Sequence, residues 1–444
     1  MSGTHVVVVG GGLAGLSAGI ACADAGARVT LLESRPRLGG ATFSTRLGGL
    51  EVDNGQHVFL RCCSAYRDFL ARLGVTELTE LQSRLSVPVL APGGRRAAIR
   101  RVALPRPAHL APSLLGFRLL PLADRLHAGL TTRRLGALDR DEPALDRISF
   151  GDWLEQHGES EIAIARFWDL FVRATLNISA HEASLQLAAM VYQVGLLEDA
   201  TAGDIGWSRV PLSRLHADPA AEALRKAGAA VHLRSRVTRV DGAGVQVDGQ
   251  RIAADAVILA APHEAAAELL PGEAGVDAEA LRSLGRSPIV NLHVLLDRPV
   301  IAEPFVATVD SPLQWMFDRS EGAGLERGQL LAVSLSDAKA WLGRPRSELQ
   351  AVFERALAEL VPESRGVRVE QFFVTNEPAA TFRQGPGCGA ARPGTRTALP
   401  GLSLAGAWTD TGWPATMEGA VLSGRSAARE ALRHLSLHVP RSLA

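Results

Sequence analysis

The sequence predicts an α/β protein: a Rossmann-like dinucleotide-binding domain assembled from three separated stretches of chain, with a discontinuous α+β domain between them. Three observations carry this expectation. Residues 6–33 pass from the apolar β-branched run Val6 to Val9, through Gly10-x-Gly12-x-x-Gly15, into an Ala-rich helical stretch; a second apolar run, Val29 to Leu32, then ends on Glu33. Residues 222–262 read as a helix, a strand, a strand pair about a glycine turn, and the apolar run Ala256 to Ala260. Residues 402–432 read as a short strand, a loop broken by Gly and Pro, and a helix with small residues on its packing face.

The first stretch is the most informative. Gly10 permits the tight turn, Gly12 lets the backbone approach a pyrophosphate, and Gly15 lets the helix lie close to the strand. Leu13 and Ala14 open the helix, so its unpaired N–H groups and positive dipole end face the phosphates. Glu33, eighteen residues after Gly15, is placed with Ser34 to accept hydrogen bonds from a ribose diol. Arg37 and the glycine pair Gly39-Gly40 follow. An acidic residue followed by a second glycine pair resembles the two-dinucleotide-binding-domain flavoproteins, and that resemblance implies FAD. No cysteine stands in a recognisable flavin-linkage motif, so the expected FAD is noncovalent.

Composition narrows the class further. At 444 residues the chain has room for two or three domains. The formal net charge is zero, which removes the electrostatic case for a nucleic-acid partner. The cysteines Cys22, Cys62, Cys63 and Cys388 form no CxxC or paired framework, no metal-ligand spacing is present, and a reduced cytoplasmic setting is expected. The apolar N-terminal run is the first strand of the nucleotide unit rather than a signal peptide, and no stretch approaches the ~18 apolar residues of a spanning helix.

The expected division is residues 1–85, 206–270 and 395–444 for the FAD domain, and 86–205 with 271–394 for the substrate domain. Within the latter, Ser287 to Leu296 reads as a strand. Residues 345–361 read as an amphipathic helix, with Leu349, Val352, Phe353, Ala356, Leu357 and Leu360 at helical spacing.

Further motifs sharpen the family resemblance. Arg236-Val237, followed by the strand leading to Ala260, Ala261 and Pro262, resembles the middle motif of the amine oxidase and phytoene desaturase superfamily. The resemblance implies that the Val237 backbone lies against the adenine and that Ala261 lies beside the cofactor. By the same resemblance, the helix opened by Met417 and Glu418, after the strand that ends near Gly406, approaches the flavin N1/O2 edge, with Thr416 binding the cofactor. Asp53-Asn54-Gly55-Gln56-His57, Trp408-Thr409-Asp410-Thr411-Gly412 and Pro414-Ala415-Thr416-Met417-Glu418-Gly419-Ala420 resemble the squalene-associated FAD-dependent desaturases, or hydroxysqualene dehydroxylases. Leu176-Asn177 and Glu182-Ala183-Ser184 extend that resemblance over nearly the whole chain. It implies reduction of hydroxysqualene to squalene by hydride from reduced flavin, with Gln56 beside the flavin and His57 as the acid. The alternative role for His57 is to brace a flavin loop. The chain departs from the superfamily pattern at Ala41, where Arg is usual, and at Ala407, where an acid is usual; Arg37 and Asp410 are the nearby candidates to compensate.

The expected partners are a hydrophobic isoprenoid substrate and an electron donor whose identity is not legible in the sequence. Residues 104–135 carry leucines among arginines, broken at Pro112 and Pro121. They read either as a helical cap making peripheral contact with the inner face of the membrane or as a helix burying its leucines in protein. Alternatives within the fold are a flavin amine oxidase, disfavoured by the presence of only Tyr66 and Tyr192 to build an amine cage, and a carotenoid-type desaturase. A non-catalytic flavin-binding protein is the alternative of another class.

Overall fold

The computed structural model describes residues 4–440, so residues 1–3 and 441–444 of the expected FAD-domain segments lie outside the described residues. Seven elements build the nucleotide layer: β1 (His5–Val9), α1 (Leu13–Asp24), β2 (Arg28–Leu32), β3 (Ala230–His232), β4 (Ala256–Leu259), β5 (Leu402–Leu404) and α2 (Met417–His434). The strands form one parallel sheet in the order β3-β2-β1-β4-β5. Val6–Val9 pair with Ala256–Leu259 on one side, and His5–Val9 with Arg28–Leu32 on the other. All of β1 and β4 is buried, which is why both read as unbroken apolar runs rather than as alternating patterns.

α1 and α2 cross at unusually short range. A Cβ on Gly424 would lie 2.2 Å from the Ala14 carbonyl oxygen, and Ser17 Oγ donates to the Val421 carbonyl at 3.2 Å. The small residues Ser423, Gly424, Ala427 and Ala428 of α2 are all buried, and only such residues let two helices pack this closely.

The other main sheet has seven strands, in the order Val369–Thr381, Ser287–Leu296, Gln329–Ser336, Trp315–Asp318, Phe305–Thr308, Ser86–Ala91, Arg95–Arg100. The strand expected at Ser287–Leu296 has those bounds. The helix expected over 345–361 runs from Arg346 to Leu360, and its buried Leu349, Phe353, Ala356, Leu357 and Leu360 pack on Val290, Leu292 and Val294. A third sheet pairs Val58–Leu60 and Thr79–Leu81 with Ile205–Ser208, so residues 205 and 206 sit within one strand where the two regions of chain meet.

Three local expectations are corrected. Residues 237–253 form three antiparallel strands rather than a pair, because Asp248-Gly249 supplies a second positive-φ turn after the one at Gly244. Pro112 does not interrupt a helix. It stands in the first turn of Ala111–Gly116, where its missing N–H has no partner to lose, and Pro121 is the N-cap of Leu122–Gly136. Leu119 belongs to the core rather than to an outer leucine face. Among the described residues, no helix is long and apolar enough to cross a membrane.

Candidate functional site

The glycine loop between β1 and α1 is built by close backbone approach. Gly10 has φ +112°, and a Cβ there would stand 2.5 Å from the Ala260 carbonyl oxygen. The second glycine pair packs directly on the first loop: Gly39 N–H donates to the Gly11 carbonyl at 2.9 Å, and a Cβ on Gly40 would reach the Gly12 Cα at 2.7 Å. No side chain caps α1 and no acid stands in its first turn, so the N–H groups around Gly12, Leu13, Ala14 and Gly15 remain available to an anion.

Glu33 is buried, and its carboxylate accepts from Gly11 N–H and Arg35 N–H, each at 2.7 Å. Ser34 Oγ donates to the same carboxylate at 3.3 Å. The Glu33 carbonyl accepts from Ser235 N–H at 2.9 Å, which brings the start of the Val237 strand to this corner. Oε1 is taken by Arg35 and Ser34, and Oε2, which accepts from Gly11 alone, retains a lone pair for a diol. An uncapped helix start for phosphates, a glycine cradle that a Cβ would fill, and a buried carboxylate beside it fit the pyrophosphate and ribose of FAD. Replacing Glu33 with Ala strands two amides and removes the diol acceptor. The expected result is FAD affinity lower by about 1.5–3 kcal/mol in fluorescence titration; unchanged affinity shows that the ribose is held elsewhere.

The middle and C-terminal motifs close on the same place. Trp408 Nε1–H donates to the Ala261 carbonyl at 2.9 Å, and Gly406 N–H donates to Ser423 Oγ at 2.8 Å. Thr416 caps α2 by accepting from Gly419 N–H at 3.1 Å, with Met417 buried beside it. Glu418 turns away to accept from Ala65 N–H and Tyr66 N–H at 3.0 and 2.6 Å, capping the helix Ser64–Leu73. Burial raises the Glu418 carboxyl above its ordinary pKa, while those two amides pull it down.

The departures from the superfamily pattern have visible surroundings. Ala41 is exposed, and its carbonyl accepts from Asn54 Nδ2 at 2.9 Å. Arg37 stacks on Phe43, 3.2 Å from the ring centroid, and donates to the Gly40 carbonyl at 3.2 Å. Asp410 is exposed and accepts from Gly412 N–H at 3.2 Å. It lies on the loop that Arg392 ties down. Arg392, which sequence reasoning missed, is buried and donates to the carbonyls of Thr409 at 2.5 Å and Trp413 at 2.7 Å, with longer bonds to those of Ala407 and Trp408.

Asp53-Asn54-Gly55-Gln56-His57 is fixed at its start and free at its end. Asp53 accepts from Ser44 Oγ at 2.7 Å, Leu212 N–H at 2.8 Å and Arg319 at 3.1 Å. Asn54 accepts at its side chain from Phe43 N–H, and its carbonyl accepts from Asn291 Nδ2 at 2.8 Å and Thr375 Oγ1 at 3.2 Å. These braces were also missed, although Asn291 and His293 carry a signal: they are polar at alternate positions of an otherwise apolar strand, hence on one face. Gln56 and His57 then line a cleft with Trp207, Phe317 and Arg319. His57 Nδ1 donates to the Gly55 carbonyl at 3.2 Å, which leaves Nε2 as the working atom. Burial lowers its pKa, opposed by the Gly55 carbonyl and the Asp53 carboxylate. Behind it, buried His216 meets Tyr66 Oη at 2.7 Å; burial, with the charge of His57, holds its pKa down at about 3.

The sequence profile of the family described as flavin containing amine oxidoreductase matches residues 13–432. A protein named hydroxysqualene dehydroxylase from Sinorhizobium fredii is 29% identical, over 96% of this chain and 98% of its own length. A 15-cis-phytoene desaturase from Solanum lycopersicum is 27% identical, over 99% of this chain and 79% of its own. In fold, the chain is similar to the cyclohexylamine oxidase of Brevibacterium oxydans, with a TM-score of 0.73 at 19% identity, covering 98% of this chain and 100% of the other.

Proposed function

The chain belongs to the flavin-containing amine oxidoreductase family and is an FAD-dependent oxidoreductase, and on that premise we propose that it reduces hydroxysqualene to squalene. The observation that carries this reading is the cleft where Gln56 and His57 face Trp207 and Phe317. The substrate's hydroxyl is allylic: protonated, it leaves as water, and the allylic cation left behind spreads its charge over the π-system. One hydride and one proton are consumed, and squalene and water are formed. Reduced FAD, when bound, supplies the hydride. The rest of the task falls to the chain. His57 Nε2 holds the proton for the leaving hydroxyl. Trp207 and Phe317 line the cleft with aromatic surface that stabilises a developing cation and excludes water from it. Arg319 is paired with buried Asp53, so its charge is neutralised beside the cleft. An amine substrate is poorly served here. Tyr66 and Tyr192 are both buried, with their hydroxyls bonded to His216 and to the Trp168 carbonyl, so neither builds a cage.

The test is a single turnover. Enzyme reduced chemically and mixed anaerobically with hydroxysqualene reoxidises and yields squalene, and deuterium carried on flavin N5 appears at the carbon that bore oxygen. Absence of reoxidation with the alcohol, together with oxidised enzyme turning over phytoene or an amine, overturns the assignment.

A further inference from the structure

Among the described residues, eight large apolar side chains are exposed, and five of them, Leu115, Leu122, Leu126, Leu130 and Ile162, lie on three helical segments in contact through Leu122–Gly136, with Leu104 close to them in sequence. A soluble surface scatters such residues singly, so this clustering marks a contact surface. Its geometry is set by Leu122–Gly136. Ala128, Thr131 and Leu135 are the buried residues of this helix. Leu122, Leu126 and Leu130, four residues apart, form a row on another side and keep 60%, 56% and 57% of their surface exposed. The leucine row is therefore not the core-facing side of the helix. Ile162 lies on Glu161–Ala163, which packs against the same helix, and Leu115 lies on the preceding helix, Ala111–Gly116.

The unpaired charges near the row are cationic, while the exposed acids beside Ile162, Glu155 and Glu161, both face His181. Arg134 continues the row at its C-terminal end, and Arg133 and Arg118 stand nearby in sequence; all three are exposed, with no ion-pair partner among the described residues. Arg125 is committed to the carbonyls of Leu120 and Leu115, at 2.8 and 2.9 Å, and so fixes the two helices relative to each other. The acid of this helix, Asp124, is half-buried. An apolar ridge bordered by unpaired guanidinium groups complements an anionic phospholipid leaflet, with acyl chains against leucine and phosphates against arginine. We propose that this surface, residues 104–135 with Ile162, docks the enzyme on an anionic bilayer with the Leu122–Leu126–Leu130 row immersed at the interface.

This goes beyond the proposed reaction, and its test does not use turnover. FAD-loaded protein is floated with phosphatidylcholine vesicles, with and without phosphatidylglycerol. Binding is expected to the anionic vesicles at low salt and to weaken at high salt, because attraction between exposed charges is screened. Replacing Leu122, Leu126 and Leu130 together by Ser lowers the partition coefficient by about tenfold or more. Flavin absorbance and circular dichroism stay unchanged, since the side chains are exposed. Replacing Arg118, Arg133 and Arg134 by Glu removes the preference for anionic lipid without touching the leucines. The proposal is overturned if the parent ignores both vesicle types or if the triple Ser variant binds as the parent does. It is also overturned if the parent forms a concentration-dependent dimer that the Ser variant lacks, because the ridge is then covered by a second copy.

Discussion

Replacing His57 with Ala slows the anaerobic reduction of hydroxysqualene by about 10²–10⁴-fold, the range for loss of a positioned general acid, while FAD content stays unchanged. The expectation rests on how the segment is held. Asp53 and Asn54 take up the hydrogen bonds that fix the loop, so removing the imidazole leaves the braces in place. The pH dependence has a definite sign. Burial pulls the His57 pKa below its ordinary value, and only the protonated ring donates. The single-turnover rate therefore rises as pH falls through a value below ~6.5. Gln at this position keeps a polar contact for the loop but has no proton to give. A His57→Gln variant as slow as Ala supports the acid role, whereas recovery of the parent rate by Gln returns His57 to bracing. A rate limb well above pH ~6.5 assigns the proton to another group.

Replacing Asp204 with Ala lowers stability by about 3 kcal/mol, because two cations lose their shared anion. The Asp204 side chain is fully buried. It accepts from Arg61 at 2.9 Å, from Arg101 at 2.7 and 3.0 Å, and from Leu85 N–H at 2.7 Å. One carboxylate thus ties together the segment that follows the His57 strand, the strand region of the second sheet, and the start of Ile205–Ser208. Arg61 keeps about a third of its surface, 31%, so water offsets part of the loss on its side, and the lower end of the range for broken buried pairs applies. Denaturant unfolding of the FAD-loaded protein checks the value. A change under about 0.5 kcal/mol shows the cluster to be a solvated contact. A double-mutant cycle with Arg101→Ala separates the pair from the loss of the Leu85 bond.

The parts of the site legible in the sequence are those whose partners lie close along the chain or whose conformation only one residue type adopts. Gly10, Gly12 and Gly15 announce a turn and a helix start within six residues, and Glu33 closes the same unit. Met417 and Glu418 are legible as the start of α2, which begins at Met417. Arg392 was not legible. Its partners are backbone carbonyls fifteen to twenty-one residues away, and carbonyls leave no mark in a sequence. Arg319 and Asp53 stand 266 positions apart, so no spacing rule joins them. The leucines of 104–135 were legible as a group, but which of them face outward was not. Leu119 and Leu122 differ by three positions, yet one is in the core and the other is exposed, because the chain turns at Pro121 between them.

The crossing of α1 and α2 has a consequence for the order in which the protein is made. The cofactor cradle is opened by the first residues of the chain, yet its sheet gains its edge at Leu402–Leu404 and its helical cover only when Met417–His434 is present. Gly424 must seat against Ala14, some four hundred positions upstream, before the first helix is buried. A ribosome releasing the chain from its N-terminus therefore exposes the glycine loop long before the loop has its walls. Pairing so distant in sequence is slow and leaves apolar strand surface uncovered in the interval. FAD uptake is therefore expected to wait until residues 402–434 have joined residues 5–33.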